Sequence, residues 1–329
     1  MIIAAVLFGY VALLCTLAPR LLRSARWAER APRLGIAAWQ VLGVAALSSA
    51  VMAGLALVVP TVRISADLAG LLHACVMALR AQYASPGGAA AGAAGAVLAL
   101  AVLGRTAYCL GAAVLRVARE RTQHREVLDL VGRPDAGRGL VVLDHDEPLV
   151  YCLPGRHRRT VITTGALRAL DDAQVEAVLA HERAHLAERH DAVLAWAGAL
   201  ARAFPRVPLF CNAEAEVARL VEMRADDVAA ARAGRLTTAA ALLAVAASGS
   251  PYPVPAAALA AGGSTAARRV HRLIEPHRPL GRARATAGSL AVAVAIALPV
   301  LVLGGPAAAA MQMNYCPDAT PMAAGTVMR

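Results

Sequence analysis

The chain has 329 residues, 58% of them hydrophobic and only 4% aromatic, with a formal charge of +11. Apolar mass carried by Ala, Leu and Val points to lipid-facing helices and argues against one soluble globular core. All 33 basic positions are Arg, and they cluster beside apolar stretches, so they are read as topology signals of the positive-inside kind; no direct nucleic-acid partner is expected. The Arg-only, Ala-rich composition is that of a GC-rich, bacterial genome. Cys15, Cys75, Cys109, Cys152, Cys211 and Cys316 form no Cys-x-x-Cys pair, which excludes a zinc knuckle or a dense disulfide scaffold.

Four stretches are apolar enough to span a bilayer, a task that takes roughly 20 helical residues: about Ile2–Ala18, Ile36–Pro60, Ala89–Val117 and Ala285–Ala310. No basic residue precedes the first, while Arg20, Arg23, Arg26, Arg30 and Arg33 follow it. A cleaved signal peptide has the reverse order, so an uncleaved anchor is expected, starting outside. Residues 61–88 carry Arg63 and Arg80 against Asp67 and are expected to face out. Arg116, Arg119, Arg121 and Arg125 follow the third span, and Arg278, Arg282 and Arg284 precede the fourth. The fold class expected is therefore a mainly α membrane protein with four transmembrane helices and a cytoplasmic α+β domain between the third and fourth. Its divisions are three spans with loops over 1–117, the cytoplasmic domain over 118–284, the fourth span over 285–310 and a short tail over 311–329. Both termini lie outside in this scheme. Cys75 and Cys316 then share the oxidising side, either as a disulfide or as two free thiols.

Within the cytoplasmic segment, Leu140–Leu143, Leu149–Leu153 and Thr160–Thr163 are predicted as short strands. A helix follows, with Asp171 as N-cap and Gln174 at the capping-box position. Ala192–Phe204 is apolar but too short to span, and is expected as a buried or interface-lying helix. Further helices are predicted over Asn212–Ala233 and Leu236–Ala247.

The capped helix carries His181-Glu182-Arg183-Ala184-His185. Residues four apart share one helix face, so both imidazoles can reach a single Zn²⁺ ion. Glu182 is offset around the helix and suits a general base that activates the attacking water. A catalytic zinc needs three protein ligands and one open position. A metzincin would place a third His at position 191, which is Asp, and His190 is expected nearly opposite His181 around the helix. Glu222 is the better third ligand, with Glu214 and Glu216 as competitors. Asp226, one turn beyond Glu222, can accept a hydrogen bond from the distal nitrogen of a ligand His.

The runs Tyr151–Gly155, Val161–Leu167, Glu176–Leu186 and Glu222–Asp226 resemble the gluzincin membrane peptidases, which include the HtpX-like proteases and the BlaR/MecR-type antirepressor peptidases. The four-span arrangement is similar to the BlaR/MecR type. The resemblance implies one Zn²⁺ ion, a cytoplasmic gluzincin metalloprotease domain acting close to the lipid bilayer, and a protein or peptide substrate, commonly a transcriptional repressor in a signalling pathway. Receptors of that type carry a penicillin-binding sensor after the last span; here only Met311–Arg329 follows, so the signal is expected to act through the spans, the outer loop or a partner. In related peptidases a strand such as Thr160–Thr163 is the edge that pairs with extended substrate; the alternative is an ordinary core strand. Arg269 resembles an Arg of the family's late helix that could stabilise an oxyanion, the alternative being a solvated or headgroup-facing Arg. His271 is expected at the surface, and His73 on an interfacial helix. Competing functions are a quality-control protease of the HtpX kind and a non-proteolytic membrane receptor with a structural zinc; Glu182 argues against the last, because a structural site needs no base.

Overall fold

A computed structural model describes residues 2–58, 76–77, 80, 83–84, 87–135, 137, 139–154, 159–247, 263–276 and 280–313. His73, Cys75, Cys316 and Arg278 lie outside the described residues. Among the described residues the chain is mostly helical, and four helices are long and apolar enough to cross a membrane: Ile2–Arg23, Pro32–Val58, Gly88–Val131 and Ala283–Val302. Leu13, Leu55, Leu100 and Leu290 on these helices are exposed, which suits a hydrocarbon solvent.

In chain order the elements are α1 (Ile2–Arg23), α2 (Trp27–Arg30), α3 (Pro32–Val58), α4 (Gly88–Val131), β1 (Arg133–Asp135), β2 (Leu140–Leu143), β3 (Val150–Leu153) and β4 (Arg159–Thr163). There follow α5 (Thr164–Ala169), α6 (Asp172–Ala187), α7 (His190–Ala203), α8 (Pro208–Ala233), α9 (Arg235–Ala247), α10 (Gly263–Ile274) and α11 (Arg282–Met313). The strands and helices predicted over 140–247 fall on these within a few residues, whereas the third span, expected over about Ala89–Val117, continues as helix to Val131; β1 and α10 are not among the predicted elements.

Contacts divide the chain into two compact units. The first comprises Met1–Gly9, Ser48–Ala101 and Ala297–Arg329. Here α3 and α4 approach through Gly54 and Gly95, where a Cβ on either would collide with the backbone oxygen of the other. Small residues allow this close backbone approach, on which helix packing in lipid depends.

The second unit comprises Tyr10–Leu47 and Val102–Ile296. One of its cores joins Leu14 and Trp39 to Leu200, Leu209, Phe210, Val217, Leu220 and Val221. This core fixes α7 and α8 as buried helices, as expected for 192–204. A second core packs Ile162 of β4 against Leu170, Val175 and Leu179, and so seats α6 on the sheet. The sheet order is β1-β2-β4-β3, with β2 and β4 parallel and the other pairs antiparallel. The expectation of an edge strand at Thr160–Thr163 is corrected here. Strand β4 is central, paired on both sides, and the edge strand packed on α6 is β3.

Candidate metal centre

Helix α6 begins at a complete capping box: the Asp171 side chain accepts from the Gln174 backbone N–H at 2.8 Å, and the Gln174 side chain accepts from the Asp171 N–H at 3.2 Å. The box fixes where the helix starts, and the four-residue spacing puts His181 and His185 on one face of it. Helix α8 starts with Pro208, whose missing N–H costs nothing in a first turn. Its fully buried Leu220, Val221 and Met223 set the face that carries Glu222 and Asp226 toward α6.

His181, His185 and Glu222 come together as a group able to hold one ion, their donor atoms all within 4.8 Å of one another. The two Nε2 atoms are 3.1 Å apart. Glu222 turns Oε2 toward His181 and Oε1 toward His185, each at 3.5 Å. Ligand atoms placed tetrahedrally at the usual Zn–N and Zn–O lengths stand about 3.3 Å apart, so the donor set fits a zinc ion in both chemistry and spacing. Glu214 is exposed and lies against Gly198 of α7, and Glu216 pairs with Arg219 at 2.8 Å. Neither joins the cluster among the described residues.

Behind His181, the Nδ1 atom meets Asp226 Oδ1 at 3.1 Å. Asp226 is 1% exposed and is gripped by Arg269 through Nε at 2.8 Å and Nη2 at 2.7 Å. The same guanidinium reaches Glu222 Oε2 with Nη1 at 2.9 Å. The solvated alternative for Arg269 is therefore corrected: it is buried, and its planar fork joins two carboxylates. Its neighbour His271 is exposed and lies beside Glu275.

These contacts set the charges. Burial disfavours the His181 imidazolium, but Asp226 and Glu222 outweigh it and carry the pKa up to about 10. Burial and the charge of His181 push His185 down to about 3. Glu222 is lowered to about 2, because the hydrogen bond to His181 and the charge of Arg269 overcome desolvation. Asp226 is likewise held well below the usual carboxylate range by Arg269 and His181, against its burial. Glu182 is raised, chiefly by burial and further by Glu222, with His181 and Cys152 of β3 pulling the other way. A carboxylate raised toward neutrality is better matched to taking and returning a proton.

His190 was expected across the helix from His181. Helix α6 instead stops at Ala187, Arg189 takes a left-handed conformation (φ 52°), and His190 opens α7. The turn brings His190 Nδ1 to 3.2 Å from His185 Nδ1, with the rings edge to face. Nothing in the sequence marks this break, since a non-glycine residue rarely adopts positive φ. Glu188, at the same corner, is bound by Arg224 of α8 through Nε at 3.0 Å and Nη2 at 2.6 Å.

Residues 114–214 match the model of Peptidase family M48. The matched stretch takes in His181, Glu182 and His185 and stops short of Glu222. No curated protein and no solved structure matches the chain. The family match, the His-His-Glu cluster and the four apolar helices together support a membrane metallopeptidase.

Proposed function

We propose that the chain is a membrane-embedded zinc metalloendopeptidase of the gluzincin type, cleaving cytoplasmic proteins next to the bilayer. The observation that carries this is the meeting of two imidazoles from α6 with Glu222 from α8, beside a half-buried Glu182 of raised pKa. His181, His185 and Glu222 would hold the metal, and a bound Zn²⁺ ion would supply Lewis acidity to the scissile carbonyl and acidify water. Asp226 fixes the His181 ring through Nδ1, and Arg269 keeps both carboxylates charged and in place. Glu182 takes the proton of the attacking water and returns it to the leaving amine. Edge strand β3, packed on α6, is suited to pair with an extended substrate backbone.

The arginine asymmetry supports a cytoplasmic catalytic segment with both termini outside. A transcriptional repressor or another regulator is the leading substrate class, in a signalling role similar to that of the BlaR/MecR-type peptidases. Glu182→Gln should leave zinc bound while lowering cleavage by about 10²–10⁴-fold, the range of general-base contributions. Comparing cut sites in cells with the native or Glu182→Gln protein tests this. Retained cleavage would defeat the enzyme assignment. A few specific sites would favour a regulator, and broad cutting of misfolded membrane proteins would favour quality control.

A further inference from the structure

The two histidines of the metal centre need the same thing from their surroundings. An imidazole that offers Nε2 to a cation must carry its proton on Nδ1, and that N–H needs an acceptor, or the ring can turn and the tautomer is not fixed. Asp226 meets the need for His181. For His185 the neighbour is not a carboxylate but His190, Nδ1 to Nδ1 at 3.2 Å. Two ring nitrogens this close attract only if one is protonated and the other is not. If His185 supplies the proton, His190 accepts it and carries its own proton on Nε2.

His190 is suited to that task. It is 2% exposed, so no bulk water competes for its nitrogens. Its Nε2 atom is buried with no hydrogen-bond partner and points toward Glu188 Oε2 at 3.5 Å, the side on which a proton is favoured. Arg224, two residues beyond Glu222 on α8, pins Glu188 with paired contacts of 3.0 and 2.6 Å. The left-handed Arg189 turns the chain so that His190 faces His185 from the start of a new helix. A strained non-glycine conformation next to a site persists where surrounding contacts hold it.

We propose that His190 is a positioning residue that holds His185 in the Nδ1–H tautomer, leaving Nε2 free for the metal. The proposal rests on the zinc assignment above. It makes the run from His185 through His190 and Glu188 to Arg224 a support that joins the two ligand-bearing helices.

The test uses the full chain in detergent or nanodiscs, with His190→Phe, which keeps a ring without an acceptor, and His190→Asn, whose amide oxygen can stand near the position of Nδ1. Zinc affinity is read by competition with a chromophoric chelator, the ligand field by the visible spectrum of the Co²⁺-loaded protein, and folding by thermal unfolding without metal. His190→Phe should weaken zinc binding by about 10–100-fold, the usual effect of losing a partner behind a ligand, and alter the Co²⁺ bands. His190→Asn should recover most of both. Native zinc affinity in His190→Phe, or equal losses in the two variants, overturns the proposal while the zinc assignment stands. Failure of the native protein to bind zinc removes both.

Discussion

The α8–α10 side of the metal centre is built from charges, whereas the α6–α7 corner sets an uncharged ring against its ligand. His181 backs onto Asp226, itself locked by Arg269, and its pKa is carried up to about 10. His185 backs onto His190, and its pKa is pushed down to about 3. One turn of helix thus separates a proposed ligand that would have to lose a proton before binding metal from one that would not. The ionic side would give the site its charge balance, while burial and the His181 charge would leave His185 with little competition from protons.

Disrupting the ionic side should cost most. Arg269→Met leaves Glu222 and Asp226 buried without their cation, and removing one partner of such a group typically costs about 3–5 kcal/mol. Urea unfolding of the metal-free protein measures this, and zinc should restore part of the loss by supplying positive charge. A change below about 1 kcal/mol would mean that the pairing is no stronger than a surface ion pair.

The pH dependence sharpens the contrast. With its pKa carried up to about 10, His181 should keep its proton through neutral pH in the metal-free protein, and a zinc ion would have to displace it. Apparent zinc affinity should therefore rise about tenfold per pH unit between roughly pH 6 and 8, with one proton released per ion. A flat profile would show that His181 is already neutral. The sign for stability is the opposite. A folded-state pKa raised from 6.5 to about 10 adds stability that is fully present below pH 6.5 and is lost as pH rises through about 10.

The smallest effect is expected at the start of α6, which both sides share. Asp171→Ala removes an exposed N-cap and should cost about 1 kcal/mol by thermal unfolding, leaving zinc affinity nearly unchanged. A large loss of zinc binding in that variant would mean that the box holds the His face in register as well as starting the helix.

Much of this was legible in the sequence where the cause is local. The capping box, the helical spacing of His181 and His185, and the short apolar strands are written in residues within a few positions of one another. Glu222 and Asp226 were legible as a pair one turn apart, and their meeting with α6 comes from the direct packing of α8 against that helix. The corner at Arg189 was not, because tertiary contacts hold a conformation the residue does not itself favour. Nor was the clamp by Arg269, which spans 43 positions from Asp226. The edge reading of Thr160–Thr163 failed for a related reason: β4 pairs in parallel with β2 and antiparallel with β3, and no property of Thr160–Thr163 alone reveals two neighbours.

The buried Arg269 has one more consequence. Because its guanidinium offsets Glu222 and Asp226, these carboxylates do not face one another unscreened before any ion arrives. Small metal-nucleated domains collapse when stripped by a chelator; here the guanidinium already supplies a counter-charge to both carboxylates, so the fold should survive chelation.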